Sequence, residues 1–246
     1  MNCLQPEPRL LGRRDSVSRA VPRWKRILDI TCFIWSLPLL IPLSALIALT
    51  IKIVSPGPVL FRQERTGHLG LPFMCLKFRT MKVNADTSVH QAYLTRLMTS
   101  NAPMTKLDMS GDPRLIPGGS LLRSLGLDEL PQLINVLRGE MSFVGPRPCL
   151  PYEYQNYLSR HRRRCETLPG LTGLWQISGK NRTTFEEMID LDLRYVASKS
   201  LLLDLKIVAL TIPALILQVS DLWRKKGAAG RKMVLGGVSA NHPSDA

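Results

Sequence analysis

At 246 residues, with 45% hydrophobic side chains, the chain can bury a substantial core in one large or two small domains. Its formal net charge of +14 points to anionic partners: nucleic acid, acidic lipid headgroups or a phosphorylated small molecule. Aromatics at 6%, with no helix-turn-helix, zinc-finger spacing or aromatic RNA-binding signature, rank nucleic acid last, and no nucleic-acid partner is expected.

Residues 1–22 form a basic N-terminal tail, and the cations continue through Arg23, Lys25 and Arg26 as a solvated or headgroup-facing flank. Between Asp29 and Lys52 lie 22 uncharged residues, enough to span a bilayer. The run is too long, and lacks the closing small residues, for a cleaved leader. Two features argue against simple crossing. Pro38 and Pro42 interrupt helical hydrogen bonding mid-segment, and cations flank both ends, so the positive-inside rule favours the cytoplasmic side twice. A re-entrant segment over 23–54 satisfies both constraints, while a proline-kinked spanning helix satisfies the length alone.

A catalytic-size region, 55–222, follows. Ser55-Pro-Gly-Pro58 predicts a turn, and Val59–Phe61 and Phe73–Met81 predict short strands joined through His68–Leu71 as a hairpin. Arg62, Arg65, Lys77 and Arg79 make that hairpin either a plain polar face or a row of cations able to hold a diphosphate. Asn84–Leu115 is polar and weakly periodic, a variable excursion with a helix near Val89–Met98.

Next comes the run from Leu121 to Pro148, with Asp128 and Glu129 set between apolar residues and bracketed by Arg123 and Arg138. Proline favours the first helical turn, so Pro131 predicts a helix from near Leu127 to Gly139 with the carboxylates at its N-terminal end. One reading is an acidic first turn that answers the helix dipole; the other is a catalytic pair. Arg147, fixed between Pro146 and Pro148, is a candidate phosphate contact.

Arg160–Arg164 reads as a solvated or membrane-facing charge run, and His161 lacks a partner at metal-ligand spacing. Leu168–Arg182 is a glycine-punctuated loop whose Trp175 suits the wall of a polar site. Ser200–Ser220 contains Asp204, Lys206 and Pro213; it reads as a buried core helix or one lying in the membrane interface. Residues 223–246 form a basic tail expected to be disordered. The five cysteines (Cys3, Cys32, Cys75, Cys149 and Cys165) are scattered without a CxxC, as reduced thiols of a cytosol-facing protein would be.

Taken in order, these pieces resemble the bacterial sugar transferases, the monotopic polyprenyl-phosphate phosphoglycosyl transferases. The resemblance is carried by Lys25-Arg-Ile-Leu-Asp29, Ser55-Pro-Gly-Pro58, Phe61-Arg-Gln-Glu-Arg-Thr-Gly67, Lys77-Phe-Arg-Thr-Met81, Asp112-Pro-Arg114, Leu127–Leu133, Gly145-Pro-Arg-Pro148, Pro169-Gly-Leu-Thr-Gly-Leu-Trp-Gln176 and Leu191-Asp-Leu-Arg-Tyr195. Gly126 and Lys180 depart from the serine and arginine usual in the family. The exopolysaccharide-initiating members, which often load galactose-1-phosphate, look closest.

The resemblance implies an α+β, mainly helical fold: a monotopic membrane protein with a re-entrant helix hairpin, interfacial amphipathic helices and a small β element. It implies a place on the cytoplasmic face of the bacterial inner membrane, against anionic lipid headgroups, and leaves a homodimer open. The substrates would be a UDP-sugar, with UDP-galactose one candidate, and polyprenyl phosphate. Asp128 would be the nucleophile and Glu129 a ligand of Mg²⁺. Arg147 and Arg123, then Arg62, Arg65, Lys77 and Arg79, would contact substrate. A membrane-bound basic binding module would explain the charge and apolar segment but not the framed Asp-Glu pair. A carboxylate-pair hydrolase would explain the pair but not the bilayer segment.

Overall fold

The computed structural model describes residues 21–83, 85, 88–100, 102–104, 112–179 and 182–216. Both tails otherwise lie outside the described residues. Helix α1 (Arg23–Val54) is one uninterrupted element with Pro38 and Pro42 inside it. Neither proline has an N–H to give, so the helix loses two internal bonds without ending. At 1.5 Å per residue its path is about 48 Å long.

The two ends of α1 are both fastened to the rest of the chain. At the first end, Lys25 is buried and its ammonium donates to Asp204 Oδ2 (2.7 Å), Tyr195 Oη (2.8 Å) and the carbonyl of Val144 (2.7 Å). Arg26 donates to the carbonyls of Val136 and Leu137, and Asp29 accepts from Ser142 Oγ and the Phe143 amide, each at 2.8 Å. Lys25 and Arg26 are therefore not the headgroup-facing flank that the charge pattern suggests. Each finds acceptors a hundred or more residues away, and burial of these donors demands such partners. At the second end, Ile47 and Ile51 are buried in a cluster with Phe78 and Ile116, joined by Leu60, Leu122, Leu127 and Leu130. Between the ends the helix is bare: Ile34, Trp35, Leu39, Ile41 and Leu46 are all more than half exposed, Trp35 at 80%.

Strands β1 (Leu60–Thr66) and β2 (Pro72–Phe78) form the expected antiparallel hairpin, with Leu60 opposite Phe78 and Thr66 opposite Pro72. The connection, a 3₁₀ turn at His68–Gly70, lies where the sequence placed it. After β2 the chain makes its excursion, including α2 (Ser88–Thr99), and comes back to its starting point. Met81 bridges to Leu115, the Lys82 amide donates to Arg114 O (2.8 Å), and the Ile116 amide donates to Thr80 O (3.1 Å).

Helix α3 (Gly119–Leu125), a 3₁₀ turn at Leu127–Glu129 and α4 (Gln132–Leu137) then lead into β3 (Ser142–Val144). Two short helices, α5 (Pro151–Gln155) and α6 (Ser159–Arg162), precede a 3₁₀ turn at Arg163–Glu166 and β4 (Gly170–Thr172), which pairs parallel with β3. The glycines here are set by contact rather than by freedom. A Cβ on Gly170 would lie 2.1 Å from the Gly145 amide nitrogen, and one on Gly145 would lie 2.3 Å from Leu168 O.

Helix α7 (Leu174–Ile177) follows, then α8 (Phe185–Ser198), which opens with a capping box in which Thr184 Oγ1 accepts from the Glu187 amide. Phe185, Met188 and Ile189 of α8 pack with Tyr157, Cys149, Cys165 and Trp175. A last helix runs from 201 to 216, where the described residues end. It buries Asp204 and Ile207 while exposing Leu202, Leu205, Ile212 and Ile216. One buried face and one apolar exposed face make it a two-faced helix.

Candidate active site

Asp128 and Glu129 occupy the 3₁₀ turn between α3 and α4, entered through Gly126 in the left-handed region (φ +71°). The sequence predicts one helix from Leu127, but a proline at 131 cannot donate to the Leu127 carbonyl. The Leu130 amide takes that acceptor instead (3.3 Å), the Ile134 amide bonds Pro131 O (3.1 Å), and the α-helix proper starts at Gln132. The carboxylates thus sit on a separate turn ahead of the helix. They are half-exposed rather than enclosed, as their apolar neighbours in sequence would suggest.

That turn lies between two unlike surroundings. Leu127 and Leu130, on either side of the acidic pair, pack against the Ile47–Ile51 end of α1. Across from them Lys77 of β2 meets Glu129 Oε1 at 3.3 Å. The strand register places Phe61 and Lys77, Gln63 and Cys75, and Arg65 and Phe73 side by side on one face. Arg65 and Glu129 also feel each other electrostatically, as do Arg65 and Arg147.

Arg147 follows β3 in the Gly145–Pro148 loop, and its Nη1 meets Glu153 Oε2 at 3.3 Å and Oε1 at 3.5 Å. The same carboxylate accepts from the Leu150 amide (3.2 Å) at the start of α5. Burial would raise the Glu153 carboxyl, but Arg147, Arg65 and Arg164 around it hold it below its ordinary value. The loop backbone is held from two sides. Arg65 Nη1 donates to Pro148 O (3.0 Å) and Arg164 Nη2 to Arg147 O (3.1 Å). Arg164 is itself buried, bonded to Asp192 and to Tyr157 Oη (2.7 Å).

The structure therefore gathers Asp128, Glu129, Lys77, Arg65 and Arg147 in one neighbourhood and sets the other candidates apart. Arg62 is exposed and, by register, on the opposite face of the hairpin from Lys77 and Arg65. Arg79 is buried, and donates to the carbonyls of Pro56 (2.7 Å) and Ser55 (2.8 Å). It pins the turn after α1 because a backbone reversal there leaves carbonyls that need donors. Arg123 lies on α3 near Asp112, whose carboxyl is drawn down to about 2 chiefly by hydrogen bonds from Arg114. Trp175 does not line a polar site: it is buried in the α8 core, its indole N–H donating to Thr183 Oγ1 at 2.7 Å.

Glu153, Arg164, Asp192 and the Lys25–Asp204 pair escape a sequence reading. Only Glu153 leaves a local trace, as the glutamate at the third position of a helix that opens on Pro151.

Comparison with known proteins identifies the family. The family described as Bacterial sugar transferase matches residues 20–218. The chain is 42% identical over 193 residues to the exopolysaccharide production protein ExoY of Sinorhizobium fredii, covering 78% of this chain and 85% of that protein. It is 40% identical over 205 residues to a UDP-glucose:undecaprenyl-phosphate glucose-1-phosphate transferase of Caulobacter vibrioides, covering 80% and 71%. An undecaprenyl-phosphate galactose phosphotransferase of Salmonella typhimurium is 35% identical over 210 residues, covering 82% of this chain and 42% of that protein. The chain belongs to the bacterial sugar transferase family.

Proposed function

We propose that the protein transfers a sugar-1-phosphate from a UDP-sugar to polyprenyl phosphate, as the first membrane step of exopolysaccharide assembly. The observation that carries this reading is the double environment of one turn. Asp128 and Glu129 are flanked by leucines seated on the apolar helix α1 and faced by Lys77, with Arg65 of β1 and Arg147 of the Gly145–Pro148 loop nearby. An anionic, water-soluble donor needs the cations, and a lipid acceptor needs the adjoining apolar helix. The donor sugar is open between the two named for these relatives, glucose and galactose, with UDP-galactose the first to test.

In the mechanism, an Asp128 carboxylate oxygen attacks the β-phosphorus of the UDP-sugar and the bond to the α-phosphate oxygen breaks, releasing UMP with that electron pair. The sugar-1-phosphate is then held as an aspartyl phosphate. A phosphate oxygen of the polyprenyl acceptor attacks the same phosphorus, and the carboxylate leaves. Lys77 and Arg147 offset the charge of the bound donor diphosphate. Among the described residues no three His, Cys, Asp or Glu side chains converge as a metal site. The adjacent pair fits Mg²⁺ nonetheless, since that ion commonly takes one or two carboxylates and completes its shell with phosphate oxygens and water. Glu129 would hold the ion, which when bound supplies charge neutralisation to the diphosphate.

The test is a single-turnover experiment without acceptor. Protein plus UDP-sugar should release UMP up to about one equivalent and carry a sugar-phosphate adduct that peptide mapping places on Asp128. Asp128→Asn should show neither, while keeping the native melting temperature. An adduct elsewhere, or wild-type rates in Asp128→Asn, would assign the chemistry to another group.

The same reading places α1 as a re-entrant segment on the cytoplasmic face. Support comes from its fastening: the Lys25–Asp29 end and the Ile47–Ile51 end both rest on the rest of the chain, while the stretch between them exposes Ile34, Trp35, Leu39, Ile41 and Leu46. In a cysteine-depleted variant, single cysteines at Pro6, Gly57 and Ser239 should all resist a membrane-impermeant thiol reagent added outside. Labelling at position 6 and protection at 57 would establish a single crossing.

A further inference from the structure

Three arginines act on Glu153, and among the described residues they differ in how far their donors are committed. Arg164 is committed to Asp192, Tyr157 Oη and the Arg147 carbonyl. Arg65 is committed to the Pro148 carbonyl through Nη1 and to Gln63 Oε1 through Nε (3.1 Å) and Nη2 (2.6 Å). Arg147 differs from both. Its side chain is 24% exposed, and among the described residues its side-chain contact is a single nitrogen, Nη1, reaching both oxygens of Glu153. At 3.3 and 3.5 Å these contacts are longer than the 2.7–2.9 Å or so of a tight charge-assisted bond, and the two-pronged geometry of a saturated pair is missing. Glu153 itself cannot follow the arginine, because it is buried and its Oε2 is tied to the Leu150 amide at 3.2 Å.

We infer that Glu153 is a positioning residue: its fixed carboxylate aims Arg147 from behind, leaving the other guanidinium donors for a phosphate of the nucleotide-sugar. The inference rests on the proposed reading of Arg147 as a donor-phosphate contact and adds the group that sets its direction. A saturated arginine would hold the loop but bind nothing, and an unrestrained one would lose rotamer freedom on meeting its ligand. One end-on contact to a buried anchor avoids both.

The test uses the full-length protein in membranes or detergent and reads KM for the UDP-sugar apart from kcat. Glu153→Asp keeps the charge but withdraws it by one methylene. KM should rise about tenfold with kcat changed far less, because the lost interaction serves donor binding. Glu153→Gln, which keeps the acceptor for the Leu150 amide but not the charge, should raise KM in the same sense. Arg147→Met should raise KM at least as much. In that background Glu153→Asp should add nothing, since a residue acting through Arg147 has no route left.

Wild-type KM in Glu153→Asp, or equal fold-changes in both backgrounds, would overturn the positioning role while leaving the Arg147 contact standing. Wild-type KM in Arg147→Met would overturn the contact and the positioning role together. Loss of folding in both Glu153 variants would make Glu153 structural, and so reject the proposal.

Discussion

Two ion pairs in this protein use the same lysine-carboxylate chemistry and serve opposite ends. Lys25 and Asp204 lie 2.7 Å apart with 1% and 0% of their side chains exposed, and Tyr195 and the Val144 carbonyl complete the shell. Lys77 and Glu129 are 3.3 Å apart with 21% and 38% exposed. The first is saturated, so it can specify how α1 joins β3, α8 and the last helix but has nothing left for a ligand. The second is longer and part-exposed, so on the proposed reading an incoming ion or phosphate exchanges with this contact at small cost. Burial and the tightness of the contact, rather than charge, separate the scaffold pair from the pair in the candidate site.

The largest effect expected from testing that contrast is at the open pair. Glu129→Gln should lower turnover by about a thousandfold or more, the scale seen when an electrostatic contribution to phosphoryl transfer is removed. The melting temperature should stay within a degree or two. Excess chelator should silence the wild type and Mg²⁺ should restore it. Full activity in chelator would take the metal out of the mechanism.

The closed pair should answer in the other currency. Lys25→Met leaves Asp204 buried without its cation and should destabilise the fold by about 3–5 kcal/mol. Turnover per folded molecule should change much less than in Glu129→Gln. Adding Asp204→Leu should recover part of the lost stability, since an apolar pair can replace a buried ionic one. If Lys25→Met instead leaves thermal stability intact and abolishes turnover, the division between scaffold and site fails.

Much of the candidate site's local geometry was legible because its residues are held by local rules. Asp128, Glu129 and Pro131 lie within four positions, the proline marks a helix start, and period-2 character puts Lys77 on a strand. The scaffold was not legible, because its partners are far apart in sequence. Lys25 next to an apolar run looks like a membrane flank until Asp204 and Tyr195 are brought to it. Arg164 looks like one more cation of a solvated run. Yet Arg160 is half-exposed beside Glu186 and Asp190 while Arg164 is turned inward onto Asp192. Arg79 misled in the opposite direction: alternation placed it with Lys77, but the strand ends at Phe78 and the next side chain serves the backbone of the preceding turn.

The excursion between β2 and α3 leaves and re-enters the fold through neighbouring backbone bonds at Thr80–Lys82 and Arg114–Ile116. Because its two ends are already pinned together, closing it costs the rest of the fold little, and what ties the excursion to the core is α2, whose Leu94 and Leu97 are buried with Leu150. Descendants of this chain can therefore rewrite the exposed positions of that segment without retuning the carboxylate turn, but not the buried leucines of α2, whose loss would open the core beside α5.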